Sequence, residues 1–526
     1  MPRTSTRPAV VVGLALALIV YVGCNSKSDK TPRVIEAPKP ITEAPKVSGD
    51  GKKLIANWPV PAGALILSGE MDGYLEPCGC SDGQHGGLGR RYDLVERLRS
   101  QGWPLTLIDL GSLIANPAGA RGGQVQAKVK FGIALRALAM MKYDALALSA
   151  EDLKLSVDEV LGQFLNLGDK PAIVCANIAP DEAFKTVIHP YLETKAGAVK
   201  IGITSVLDPD AWKALADPAK EALLPIKSPQ EVLPGVLAEL ESKTDTQVLM
   251  VQGPIELARS LAESFPGFDI VVSTSKFPDP PDHPEMLNNG KTMLVLVGKK
   301  GKHVSVVGLY PGQAEPMRYD RVTLGSGYKM AEPIRVLIDE EFPRELKDLR
   351  VVEDFVRRGN VKGAPGSEYV GAETCKSCHP NTYATWAASN HAKAFNALVK
   401  DPKRIREFDA ECISCHTTGF EYNTGWVSAE KTPYLKGNQC ENCHGPASKH
   451  LAAPDDPEIR KSIALTAEFA DSSRLCIQCH DEDNSPKFNF GAYYGKIMHK
   501  GKDTYTDPKV HQPQPAPSRV AAGTAN

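Results

Sequence analysis

Eight of the twelve cysteines in this chain fall into four copies of one pattern, Cys-x-x-Cys-His. The copies are Cys375-Lys376-Ser377-Cys378-His379, Cys412-Ile413-Ser414-Cys415-His416, Cys440-Glu441-Asn442-Cys443-His444 and Cys476-Ile477-Gln478-Cys479-His480. On a helical turn, residues three apart project from one face, so both thiols reach the two vinyl groups on one edge of a porphyrin. The histidine that follows lies under the ring, where its imidazole binds iron from the proximal side. The pattern therefore predicts four covalently attached haem c groups, with His379, His416, His444 and His480 on the iron. Paired Cys-x-x-Cys units also build zinc sites. Zinc does not need the histidine, and histidine makes up only 12 of 526 residues, so its presence after all four pairs decides for haem. A disulfide framework fails on the same ground.

Four more histidines lie in this region outside the motifs: His391, His450, His499 and His511. The surrounding residues contain few large aliphatics, too few to fold by themselves. Porphyrin rings would supply the missing apolar surface, so the haems are expected to be core as well as cofactor, and the chain without them largely disordered there.

Several stretches carry a family likeness: Tyr369-Val370-Gly371 running to Cys375, Trp386-Ala387-Ala388-Ser389-Asn390-His391-Ala392, Cys443-His444-Gly445-Pro446 running to His450, and Lys496-Ile497-Met498-His499. Over about 366–500 the sequence resembles the cytochrome c554 family of tetrahaem electron carriers. The resemblance implies that His391, His450 and His499 are distal ligands, and that the haem on His416 has no protein ligand on its distal side. An iron with two histidines can only pass electrons, whereas an open one could bind a small molecule such as an oxide of nitrogen. His511 sits in Val510-His511-Gln512-Pro513-Gln514-Pro515, which reads as a solvated tail, although it could fill the fourth distal position. His189, His283 and His303 read as ordinary surface residues.

The rest of the chain must position this cluster. A length of 526 residues predicts two or three domains, and 61 basic against 63 acidic side chains give no reason to expect a nucleic-acid partner. Arg3 and Arg7 precede an apolar run over 9–22, short for a membrane span, that ends Tyr21-Val22-Gly23-Cys24. This resembles a bacterial lipobox, which implies export and lipidation of Cys24. Residues 25–60 are polar and rich in Lys and Pro, a flexible linker. From Ala64 onward short apolar runs recur: 64–67, 105–108, 145–148, 172–174, 199–203, 248–251 and 270–272, then 293–297 and 304–309. Helical patterns such as 92–98 and 129–141 lie between them. Apolar runs alternating with helices predict an α/β domain with buried strands. A charged helical connector over 327–365, interrupted by Pro343, would lead into the cysteine-rich part.

The α/β part also has a likeness. Its opening, Ile66-Leu67-Ser68-Gly69-Glu70-Met71-Asp72-Gly73, followed by Gly86-Gly87-Leu88-Gly89-Arg90-Arg91, Leu107-Ile108-Asp109-Leu110-Gly111 and Ala176-Asn177-Ile178, resembles the 5′-nucleotidase branch of calcineurin-like metallophosphatases. That implies a four-layer αββα fold and, in active members, two metal ions. Here Glu70 and Asp72 stand where the family has Asp and His, Ser112 where it has the bridging Asp, and Ala150-Glu151 where it has Asn-His. Gln252 stands near a further histidine, and Ser275-Lys276-Phe277 replaces His-x-His. Two-metal catalysis needs several anionic or imidazole ligands, so this domain is expected to be inactive as a phosphatase. Glu70, Asp72, Cys78, Cys80, Asp109, Glu151 and Cys175 remain as a candidate second site. The three thiols read as a disulfide of Cys175 with Cys78 or Cys80, or as a Cys/His metal or sulfur-handling site.

The expected organisation is a signal peptide (1–24), a linker (25–60), a metallophosphatase-like α/β domain (61–326), a helical connector (327–365), a mostly helical tetrahaem domain (366–505) and a tail (506–526). The expected role is electron transfer with redox partner proteins on the periplasmic side of the envelope. The lipid would anchor the chain, at the outer rather than the inner membrane. The alternatives are a redox enzyme acting at the haem on His416 and a metal-dependent hydrolase in the N-terminal domain.

Overall fold

The structure is a computed structural model that describes residues 55–77, 84–117, 121–165, 167–168, 170–182, 184–360, 362–499 and 501–503. Cys24, Cys78, Cys80 and His511 lie outside the described residues. The described residues all belong to one compact unit, 51–526.

The apolar runs become the inner strands of two sheets. One sheet has the order β13 (Met317–Thr323), β12 (His303–Leu309), β1 (Gly63–Ser68), β2 (Leu105–Asp109), β3 (Ala145–Ala147), β4 (Ala172–Val174), β5 (Ile188–His189). The other runs β10 (Glu285–Leu287), β11 (Thr292–Val297), β9 (Ile270–Thr274), β8 (Thr246–Gln252), β7 (Val199–Leu207), β6 (Tyr191–Ala196). Successive side chains of a strand face opposite ways. Leu65 and Leu67 therefore meet Ile203, Val248 and Val272 between the sheets, while Ala64 and Ile66 pack outward. Helices Leu88–Ser100 and Gly123–Met140 cover that outer face, and Pro229–Lys243 and Ile255–Ser264 cover the outer face of the second sheet. Both faces of β1 are thus buried, which is why its sequence is apolar throughout rather than alternating. The result is the four-layer helix–sheet–sheet–helix arrangement that the metallophosphatase resemblance implied.

His303 departs from its expected place on the surface. It is 7 % exposed on β12, with Nε2 2.7 Å from Asp279 Oδ1 and Nδ1 3.0 Å from Thr323 Oγ1. Two polar partners satisfy both ring nitrogens, so burial is tolerated.

After β13 the chain is helical over Glu332–Val336, Leu337–Glu341 and Phe342–Asp348. Pro343 does not break this run: it directly follows the wider, π-helical turn Leu337–Glu341, where the regular hydrogen-bond ladder is already interrupted. Ile334, Leu337, Phe342 and Leu346 join the core under Gly123–Met140, and the same core continues into the C-terminal region through Phe395, Leu398, Ile413, Phe420 and Trp426. That region is built of short helices. Four of its α-helices among the described residues, Pro380–Ala388, Ser448–Ala452, Pro457–Ser462 and Phe490–Ile497, have no buried side chain.

Candidate haem-binding site

Each Cys-x-x-Cys-His unit folds as one helical turn. The second lies in helix Ala410–His416 and the third is helix Cys440–His444. In the first and fourth, the histidine N–H donates to the carbonyl of the leading cysteine, His379 to Cys375 at 2.8 Å and His480 to Cys476 at 2.9 Å. This closure puts both thiols on one side and aims the imidazole along the same face.

The histidines face one another in pairs. His379 and His450 have ring centres 6.4 Å apart, His391 and His480 6.0 Å, and His444 and His499 5.8 Å. A metal–imidazole bond is about 2 Å and the ring centre lies about 1 Å further, so one iron between two imidazoles sets their centres roughly 6 Å apart. All three pairs have that spacing. No second imidazole stands opposite His416 among the described residues.

The ring orientations are fixed from behind. Nδ1 of His416 is 2.6 Å from Ala394 O, that of His444 2.8 Å from Ile463 O, that of His499 2.9 Å from Ile497 O, and that of His480 3.2 Å from Ser485 Oγ. An Nδ1–H donated backward leaves Nε2 as the free donor atom. Burial holds the basicity of His391, His444, His450 and His480 below the ordinary histidine value, which favours the neutral, ligating form.

Two cavities adjoin these pairs. One of about 280 Å³ touches His379, His450, His444, His499, Cys375 and Cys440. The other, about 750 Å³, touches His391, His480, Cys476 and Cys479. Short helices with no buried side chain and paired imidazoles around partly apolar cavities fit porphyrins. The attachment sites also touch in sequence. The thiols of Cys375 and Cys440 are close neighbours, as are those of Cys415 and Cys479, and Cys443 lies near Cys476. The motifs thus form a file in the order first, third, fourth, second.

The α/β domain holds the far end of this file. Arg121 Nη1 donates to Ser414 Oγ at 3.0 Å and Cys415 Sγ at 2.9 Å, and the guanidinium also reaches Gln478 O. On helix Gly123–Met140, Gln126 binds Asp409 at 2.8 Å and the N–H of Ala410 at 3.0 Å, and Lys130 pairs with Glu411 at 2.6 Å. Lys300 and Lys302 both pair with Asp483, three residues past His480.

The candidate second site comes together only in part. Glu70 and Asp72 are neighbours at the end of β1, within electrostatic reach of Lys299 and, for Asp72, of Glu151. Glu70, Asp72, Ser112 and Lys276 all keep positive φ, a left-handed backbone that non-glycine residues adopt at a cost. Burial pushes the Glu70 carboxyl up to about 7 and raises that of Asp72. Asp109 does not face this cleft. It forms a buried ion pair with Arg91 at 3.2 Å and accepts from Ser68 Oγ at 2.6 Å. Cys175 is a free, fully buried thiol directed at Asn177 Oδ1 at 3.4 Å, and burial pushes it up to about 11. The expected disulfide is therefore not formed at Cys175. Its sulfur is sealed in the core beside Asn177, which is itself bound to Leu207 and Lys227. No group of three His, Cys, Asp or Glu side chains is placed to hold a metal ion among the described residues.

Sequence reasoning missed Arg121, Lys130 and Glu441. Glu441 was visible inside the third motif, but its burial was not. It accepts backbone N–H groups from Val370, Gly371 and Ala447, and burial pushes its carboxyl up to about 7.

The C-terminal region is similar in sequence to known cytochromes. The family model for cytochrome c554 and c-prime matches residues 374–445. Cytochrome c-554 of Nitrosomonas europaea is 34 % identical over 139 residues, covering 22 % of this chain and 59 % of that protein. The multiheme cytochrome MtrA of Shewanella baltica is 33 % identical over 123 residues, covering 21 % of this chain and 36 % of that protein. The chain thus spans less than two thirds of either curated relative. Among solved structures, a 5′-nucleotidase precursor from Thermus thermophilus covers 61 % of this chain and 67 % of its own, at 16 % identity and a TM-score of 0.45. The calcineurin-like phosphoesterase YfkN from Bacillus subtilis covers 55 % and 98 %, at 16 % identity and a TM-score of 0.42.

Proposed function

We propose that this chain is a tetrahaem c-type electron-transfer protein of the cell envelope, with its α/β domain as a catalytically silent scaffold. The observation that carries the reading is the set of three imidazole pairs at 5.8–6.4 Å, each pairing one motif histidine with one of His450, His391 and His499. Haem c supplies one-electron chemistry when bound. The protein's part is to hold eight thioether positions, orient the imidazoles through their Nδ1 atoms, and keep the attachment sites in contiguous order.

Scaffold is the better reading of the α/β domain because of its donor set. Lys299 stands 3.8 Å from Asp72 Oδ2, so an ammonium already stands beside the carboxylate that a metal would need. Asp109 is consumed by Arg91. The likeness to multihaem cytochromes and the Cys24 lipobox support a lipid-anchored periplasmic place. A second reading, binding of a small molecule at the iron of His416, is favoured by the absence of a facing imidazole among the described residues.

The test is the full chain, produced in a host that attaches c-type haem. We expect four haems per chain by pyridine haemochrome, with three low-spin irons and one high-spin iron by EPR. Fewer than four haems would sink the proposal. Four low-spin irons that do not take up CO would remove the second reading.

A further inference from the structure

Glu441, between Cys440 and Cys443, is 2 % exposed, and its partners are backbone amides rather than cations. Oε1 accepts from Val370 N at 3.0 Å and Ala447 N at 2.9 Å. Oε2 accepts from Val370 N at 3.1 Å and Gly371 N at 2.8 Å. Both oxygens thus face donors only. A proton on either would meet an N–H instead of an acceptor and would displace one of these bonds, so the four bonds favour the ionised carboxyl while burial pushes it up to about 7. A buried anion without a cation is costly, and this one borders both cavities. An iron–porphyrin core is a net monocation when ferric and neutral when ferrous. Of the two states, the ferric one balances the carboxylate.

We propose that Glu441 is a potential-setting residue: a fixed anion that lowers the midpoint of the haem held by Cys440, Cys443 and His444. The backbone of Val370, Gly371 and Ala447 fixes the charge, and the helical turn Cys440–His444 sets its distance from that haem. The lever is the burial and hydrogen bonding around the cofactor rather than the axial ligand. The inference rests on the reading of four attached haems. Haem count tests that reading, and midpoint potential tests this one.

The experiment is a spectroelectrochemical titration at about pH 8, where the Glu441 carboxyl is ionised, of the full, haem-loaded chain as wild type, Glu441→Gln and Glu441→Asp, with the haems resolved by NMR or EPR. Glu441→Gln is expected to raise the midpoint of the third-motif haem. Its ferric-to-ferrous ratio at fixed potential should fall at least tenfold, about 59 mV for one electron. Glu441→Asp keeps the charge but withdraws it by one methylene, and is expected to shift the same haem upward by less. An unchanged midpoint in Glu441→Gln, or equal shifts in both variants, overturns the proposal, because equal shifts mark a packing effect. If Glu441→Gln does not take up four haems, Glu441→Asp decides alone, and no shift overturns it.

Discussion

Glu70 is buried beside Asp72 with Oε2 unbonded, and its carboxyl stands near 7 against an ordinary 4.5. A carboxyl whose folded value lies above its unfolded value costs nothing below the unfolded value. Stability is then lost as pH rises from 4.5 to 7, because the unfolded chain ionises first. Glu70→Gln should therefore match wild type at about pH 4 and be more stable at about pH 8, by at most about 3 kcal/mol. Urea unfolding at the two pH values checks this, and a difference independent of pH would count against it. The same scale shows what a sequence can reveal. The cysteines and histidines of the four motifs were legible because their chemistry lies in type and spacing. Arg121 and Glu441 were not, because an arginine in a loop and a glutamate between two cysteines acquire meaning only from what folds against them. Asp109 was misplaced for the converse reason: its motif is recognisable, but its charge is taken up by Arg91 from the helix Leu88–Ser100.

At the scale of elements, the strands legible in the sequence are the inner ones, whose faces are both covered. The four that escaped, β5, β6, β10 and β13, are the edges of the two sheets. Edge strands face solvent, so Tyr191–Ala196 and Met317–Thr323 carry charges among their apolar residues and lose the signal. The contact between helices Gly123–Met140 and Ala410–His416 was invisible for a similar reason. It is polar, and its two sides are 281 residues apart at Lys130 and Glu411. Lys130 is 10 % exposed and Glu411 43 %, so the pair is partly screened. Lys130→Ala should cost on the order of 1–2 kcal/mol, less than a fully buried pair. Hydrogen exchange should show the effect as faster exchange in 405–416, with the β1–β2 amides unchanged.

For the whole molecule, the question is what the C-terminal region folds around. Its larger apolar residues, Phe395, Leu398, Ile413, Phe420 and Trp426, are spent on the core shared with the α/β domain. The helices that carry or flank His450 and His499 have no buried side chain of their own. Two different supports follow. Residues around 395–435 are held by the α/β domain, whereas 440–499 depend on apolar surface that the chain itself does not provide. The two should come apart when haem is withheld. In a host that exports the chain but cannot attach haem, limited proteolysis is expected to cut first within 440–499. The sheets between Gly63 and Thr323 should resist. Attachment of haem should protect both regions. Equal resistance of 440–499 with and without haem would mean that the protein packs this region unaided, and would remove the argument that the cofactor is its core.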